Sequence, residues 1–225
     1  MYLDNNATTK VADAVRAAMQ PYLENVHGNP SSIHGAGRDA KEAVENSRRS
    51  VAKLLNTKPR RIIFTGSGSE ANNMALKGIA FSHRQKGNHI ITTKIEHPAI
   101  LRSCEFLEKI GYKVTYLDVD KEGLISPNNL KNALTNKTIL VSIMMANNET
   151  GTIMPIKELA TITHEHGALF HTDAVQAVGK VKVDVQDLKV DLLSLAAHKF
   201  HGPKGIGVLY IKKGVEIEPL VHGGG

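Results

Sequence analysis

Short runs of adjacent apolar residues alternate with longer amphipathic stretches along this chain, and no other feature narrows its choice of fold as far. The short runs are residues 61–65 (RIIFT), 89–93 (HIITT), 113–117 (KVTYL), 139–146 (ILVSIMMA), 168–172 (ALFHT) and 190–195 (VDLLSL). Apolar and β-branched side chains on consecutive positions indicate strands covered on both faces, as in a parallel sheet. Between them lie helical patterns at 69–84, 98–110 and 155–166, with a longer one at about 36–56 ahead of the first strand. Pro98 and Pro155 stand at helix starts, and Gly111 and Gly167 stand just past the ends, the expected asymmetry. Strand–helix alternation of this kind predicts an α/β fold, a mostly parallel sheet with helices on both faces. Residues 207–211, behind a Gly-rich turn, read as a further strand that the turn allows to run antiparallel.

In open α/β sheets ligands bind beyond the carboxyl ends of the strands, so the residues after each run carry the functional information. After RIIFT comes Gly66-Ser67-Gly68-Ser69-Glu70, leading straight into a helix; after HIITT comes Lys94-Ile95-Glu96-His97-Pro98. ILVSIMMA is followed by Asn147-Asn148-Glu149-Thr150-Gly151, ALFHT by Asp173 and then Gln176, and VDLLSL by Ala196-Ala197-His198-Lys199. Five strand ends therefore bring polar or ionisable groups toward one edge of the sheet.

Each group has a plain reading beside a functional one. Residues 66–70 combine small side chains, hydroxyls and a helix N-terminus, which suits a phosphate, although a strand-to-helix turn needs the same residues. The segment is neither GxxxxGK[ST] nor GxGxxG. Asp173 is a helix cap or structural ion pair, or a carboxylate facing a protonated heterocycle nitrogen, with Gln176 pointing the same way if a helical turn begins there. His97 either starts a helix or lays a flat imidazole on a ring and relays protons. Lys199 follows an apolar strand and sits among glycines. Partial desolvation there would lower its pKa and yield the neutral amine that imine formation needs.

Other classes fit poorly. Lys and Arg number 28 against 22 Asp and Glu, a net charge of +6 spread along the chain with its densest cluster at Lys58, Arg60 and Arg61. A diffuse excess, with only 4% aromatic residues and no Trp, lacks the stripe and stacking platform that nucleic-acid binding uses. Cys104 is the only cysteine, so no intrachain disulfide forms. His164 and His166 are two apart on a helix and no HExxH or Cys cluster exists, so no metal site is expected. No basic leader and no membrane-length apolar stretch is present, which points to a cytoplasmic protein without membrane contact.

A phosphate cradle, a ring-stacking His, an Asp for a pyridinium and a Lys for an imine make up the set a pyridoxal 5'-phosphate (PLP) enzyme needs. In this order the set resembles fold-type I, class V aminotransferase-like enzymes, and within them the NifS/IscS-type cysteine desulfurases. The resemblance starts at Tyr2-Leu3-Asp4-Asn5-Asn6-Ala7-Thr8-Thr9 and runs through Gly28-Asn29-Pro30-Ser31-Ser32-Ile33-His34, FTGSGSEANN at 64–73 and Glu96-His97. It continues through NNETG at 147–151, HTDAVQ at 171–176 and HKFHGPKGIG at 198–207 to His222-Gly223-Gly224-Gly225. It implies a PLP-dependent transferase-like large domain in which Lys199 carries the cofactor and shuttles a proton, and His97 stacks on the ring. Asp173 would hold the ring nitrogen protonated, Gln176 would bond the phenolic oxygen, and Asn148 would orient cofactor and substrate. Gly68, Ser69 and His198 would hold the phosphate. The implied reaction removes sulfur from L-cysteine as an enzyme persulfide, leaving L-alanine, for iron–sulfur cluster or other sulfur-transfer pathways. The implied partners are a second copy in a homodimer and a sulfur-acceptor or scaffold protein. Selenocysteine lyase, another class V lyase and a non-catalytic PLP-domain remnant remain as alternatives.

Two departures qualify the resemblance. The family commonly has Ser where this chain has Ala196, and loss of that bond to phosphate would weaken PLP retention, with Ser194 no replacement. Chains of the family also run well past His-Gly-Gly-Gly. Residues 1–15 are therefore expected to be a segment that packs toward a small domain, 16–225 an incomplete PLP-binding large domain, and the C-terminal small domain absent. With it would go an interface residue reaching the neighbour's phosphate, the substrate-carboxylate Arg and the sulfur-attacking Cys loop, leaving this chain inactive alone. Cys104, on the helix after His97, is expected to be a buried structural thiol.

Overall fold

The computed structural model describes residues 2–223; Gly224 and Gly225 of the terminal glycine motif lie outside the described residues. Its sheet has seven strands, β1 (Ile62–Thr65), β2 (His89–Thr93), β3 (Lys113–Leu117), β4 (Thr138–Ser142), β5 (Leu169–Asp173), β6 (Leu192–Ala196) and β7 (Gly207–Ile211). The order across the sheet is β1-β7-β6-β5-β4-β2-β3, which puts β5 at the centre. The pairings of β2 with β3 and β4, of β4 with β5 and of β5 with β6 are parallel, whereas β7 runs antiparallel to both β1 and β6. The expected α/β architecture is present.

Seven helices accompany the strands among the described residues: α1 (Asp13–Glu24), α2 (Gly35–Leu54), α3 (Gly68–His83), α4 (Pro98–Lys109), α5 (Pro127–Ala133), α6 (Ile156–Glu165) and α7 (Val185–Leu188). Successive strand residues divide between two apolar layers because side chains alternate across a strand. Ile90, Leu140, Leu192 and Leu209 meet Leu76 and Ile79 of α3 and Ile100 and Leu107 of α4. Their neighbours Ile91, Val141, Leu193 and Val208 point the other way, into a layer with Leu130 of α5 and Leu159 of α6. Consecutive apolar residues in each strand follow directly from this two-sided burial.

Differences from the sequence expectations are local. Pro155 occupies the cap position just before α6 instead of its first turn. The helix expected at 36–56 ends two residues earlier, and Asn56 beyond it takes a left-handed φ of 55°. The run expected as a strand to Ala146 ends as a strand at Ser142: pairing with β2 stops at Val141, while Ile143 and Met145 N–H still donate to the His171 and Asp173 carbonyls of β5. Helices α1, α5 and α7 have no counterpart in the sequence pattern: α1 buries no residue and contains Pro21, and α5 and α7 are only seven and four residues long.

A polar thread crosses the centre of the apolar sheet. His171 on β5 is fully buried, its Nδ1 2.8 Å from Ser142 Oγ on β4 and its Nε2 3.0 Å from Ser194 Oγ on β6. The imidazole bridges three strands two residues before the β5 end, on the face shared with Asp173. Burial pushes its pKa down to about 3, so it stays neutral in the folded protein. An unfolded chain takes up this proton below pH about 6.5. The stability it supports is therefore present above that pH and lost as pH falls toward 3. Urea unfolding of the wild type should weaken across this window by up to about 1.4 kcal/mol per pH unit more than that of His171→Gln. Equal pH slopes for the two proteins would contradict a neutral buried His171.

Candidate active site

The carboxyl ends of β1, β2, β4, β5 and β6 open into one cavity of about 560 Å³. Gly68, Ser69, His97, Asn148, Asp173, Gln176, His198 and Lys199, the site residues expected from sequence, all line it.

Asp173, the last residue of β5, is buried. Its Oδ1 accepts from the Val175 backbone N–H at 2.9 Å, and its Oδ2 accepts from Asn72 Nδ2 at 2.7 Å. Burial raises its pKa, while these two donors and the charge of Lys199 pull it back. Each carboxylate oxygen keeps lone-pair capacity for a further donor from the cavity.

Lys199 closes a short 3₁₀ turn (Ala197–Lys199) directly after β6. Its Nζ donates to the backbone carbonyls of Asn6 at 2.7 Å and Ala7 at 2.9 Å. Desolvation lowers its pKa first and the charge of Lys180 second, against Asp173, Asp4 and Glu149, which raise it. The carbonyls come from an N-terminal segment laid across the turn. Thr9 N–H donates to the His198 carbonyl at 2.9 Å, and Ala12 N–H donates to that of His201 at 3.0 Å.

His97 caps α4, its Nδ1 accepting from Ala99 N–H at 3.1 Å. That bond leaves the proton of the neutral ring on Nε2. Gln176 lies in a turn, where Ala177 and Val178 N–H groups both meet the Ala174 carbonyl, and not in a regular helix. Its amide is already engaged, donating to the Asn6 carbonyl and side-chain oxygen at 3.0 Å each and accepting from Lys180 Nζ. His198 Nδ1 lies 3.1 Å from Thr8 Oγ1, and Asn148 donates to Glu149 Oε1.

At the start of α3, Ser67 accepts from Glu70 N–H at 3.0 Å and the Glu70 carboxylate returns to Gly66 N–H at 2.8 Å. This reciprocal cap satisfies the outer donors. The N–H groups of Gly68 and Ser69 have no acceptor among the described residues and begin a helix of 16 residues. An anion in the cavity would meet two free donors and the positive end of the helix dipole.

Several cavity groups were not singled out in the sequence. Asn72 stands four residues after Gly68, hence on the same face of α3, and that spacing is a signal the sequence offered. It holds Asp173, and its own buried Oδ1 has no partner among the described residues. Asp4, Asn6 and Ala7 reach the cavity only through the long-range packing of the N-terminal segment, which no local pattern encodes. Ser194 is committed to His171 and not to the cavity. Cys104 is fully buried on α4, and burial pushes its thiol up to about 12. Among the described residues no group of three or more His, Cys, Asp or Glu could hold a metal, and no helix is long and apolar enough to cross a membrane.

The class-V aminotransferase family model matches residues 1–225. The chain belongs to this family. Cysteine desulfurase IscS of Dictyoglomus turgidum is 56% identical over 224 residues, which cover 100% of this chain and 57% of that protein. A solved NifS-like protein superposes with a TM-score of 0.97 at 44% identity, covering 100% of this chain and 62% of the other. A structure described as SspA in complex with cysteine superposes with a TM-score of 0.96 at 42% identity, covering 99% of this chain and 65% of the other. This class-V aminotransferase chain thus spans a little over half the length of the curated relative.

Close packing at the α3 start gives this class-V site a simple test. A Cβ built on Gly68 would lie 2.9 Å from Val175 Cγ2 and 3.2 Å from Ala196 Cβ. Gly68→Ala should therefore lower stability by about 1–3 kcal/mol in urea unfolding. Ser69→Ala, at an exposed neighbouring position, should stay within about 0.5 kcal/mol. Equal stabilities for Gly68→Ala and wild type would show that α3 does not press on the β5 and β6 ends as described.

Proposed function

We propose that the strand-end cavity binds PLP through Lys199 and that the protein is a desulfurase acting on L-cysteine. The observation that carries this reading is the convergence of Lys199, Asp173, His97 and two unpartnered N–H donors of α3 on one cavity. The donor set fits the cofactor: free backbone N–H groups for a phosphate, a buried carboxylate with spare acceptor capacity for a ring N–H, and a partly desolvated amine. Asn72 Oδ1, buried and unpartnered, adds an acceptor in the same wall. The relative solved with cysteine supports the substrate class.

PLP, when bound, supplies an electron sink that stabilises negative charge at the substrate α-carbon. The chain's own residues do the rest. Asp173, held by Val175 N–H and Asn72, keeps a negative charge at a fixed point below the cavity, where it favours a protonated partner. His97 presents an imidazole whose proton is placed on Nε2 by its cap bond. Lys199, with its pKa lowered, can give up and take back a proton at Nζ near neutral pH more readily than a solvated lysine. Before it acts, its two bonds to Asn6 and Ala7 must break, which couples the N-terminal segment to the cavity. Gly68, Ser69 and His198 would hold the phosphate, and Gln176 and Asn148 would border the ring and the substrate. Cys104 is excluded as the thiol that takes the sulfur, because it is buried and stays protonated. The sulfur acceptor is therefore a thiol outside these 225 residues. A second copy of the chain and a sulfur-accepting protein are the expected partners.

Adding PLP to the protein should give a saturable visible absorbance band, and L-cysteine should then change that band where L-serine does not. Ala196→Ser, which restores a hydroxyl beside Gly68 and His198, should tighten PLP about tenfold or more, the worth of a hydrogen bond to a charged group. A band that never saturates would refute cofactor binding. A band indifferent to L-cysteine would refute the substrate.

A further inference from the structure

Glu96 is a buried carboxyl at the rim of the site, beyond the end of β2. It precedes His97 and is only 4% exposed. Its Oε1 accepts from Thr93 Oγ1 at the end of β2 at 2.7 Å, and from Met144 N–H just after β4 at 2.9 Å. Its Oε2 is buried and has no partner among the described residues, and no Lys, Arg or His among them lies within ion-pair distance. The ionisable groups that influence it or feel it are Asp173 at the end of β5 and Cys104 on α4, neither of them cationic.

A carboxylate in this position would be an isolated buried charge with a second carboxylate beside it, the most unfavourable arrangement for ionisation. Asp173 accepts two hydrogen bonds as well, but it also feels the positive charge of Lys199 and borders the open cavity. If one of the two carboxyls must keep a proton, the balance of partners puts it on Glu96. Burial works in the same direction and pushes the Glu96 carboxyl up to about 8.

We propose that Glu96 is a positioning residue that works as an uncharged carboxylic acid. Its Oε1 clasps the end of β2 to the chain leaving β4, which seats His97 at the cavity. Its proton leaves Asp173 as the one buried carboxylate charge beneath the site. The clasp and the proton stand without any cofactor, whereas the benefit to Asp173 rests on the PLP reading above.

Infrared spectroscopy of the protein without PLP at pH 7 tests the protonation directly. A C=O stretch of a protonated carboxylic acid should be present, should be lost in Glu96→Gln and should persist in Asp173→Asn. Selective ¹³C labelling of glutamate in the wild type should shift this band, an assignment that holds even if a variant fails to fold. Absence of the band, failure to shift on glutamate labelling, or loss only in Asp173→Asn would overturn the proposal. A second readout uses the PLP-loaded protein. Glu96→Gln should leave the pH profile of the visible band where it is in wild type, and Glu96→Ala should weaken PLP binding at least tenfold. A profile moved by Glu96→Gln would mean that Glu96 carries charge, and would also overturn it. A wild type that binds no PLP would refute the functional reading alone and leave the infrared result to decide Glu96.

Discussion

The carboxylate of Asp173 ends the central strand of a sheet whose two faces are both covered, and most of the site is arranged around that constraint. Charge cannot be left uncompensated inside such a sheet, so polar groups emerge where the strands stop. Asn72 from α3 and Val175 N–H from the following turn supply the compensation within the protein. Lys199 supplies it through the field. Take Asp173 away and Asn72 loses the acceptor for its buried amide, Lys199 loses a charge that raises its pKa, and the floor of the cavity loses its buried negative charge.

Two layers of polar bridging tie together the strands around the site. Deeper in the sheet, His171 ties β4, β5 and β6 together as a neutral imidazole between two serine hydroxyls. At the strand ends, Glu96 ties β2 to the chain leaving β4. Both are side chains that water would let ionise and that burial holds uncharged. The N-terminal segment then lies across the open side and holds the amine of Lys199 with two carbonyls. Strand positions, cap geometry and strap together put a weakened base, an imidazole and a fixed negative charge within one cavity.

Much of this was legible in the sequence for a definite reason. Two-sided burial writes itself as consecutive apolar residues, so β2, β3 and β7 coincide with their expected limits and the other strands shift by at most a few residues. The same burial forces the polar residues to the strand ends, which is why Asp173, the His198-Lys199 turn after β6 and the α3 start could be picked out without any structure. What stayed hidden has physical reasons too. Asn72 is one helical turn into α3, and its bond to Asp173 spans 101 residues of sequence. Asp4, Asn6 and Ala7 arrive by packing of a segment with no regular structure. Helix α1 offers no buried face from which a period could be read, and the bonds of Gln176 to Asn6 depend on that same N-terminal segment. Glu96 stood in plain view beside His97, but nothing in its neighbours along the chain tells that its carboxyl is sealed from water.

The functional reading stands on Lys199 as the amine that takes PLP. Borohydride reduction of the PLP-treated protein, followed by peptide mapping in a mass spectrometer, tests it most directly. A single stable pyridoxyl mark on Lys199 that disappears in Lys199→Ala is the expected result. Marks scattered over exposed lysines, or a mark that survives Lys199→Ala at full intensity, would contradict it.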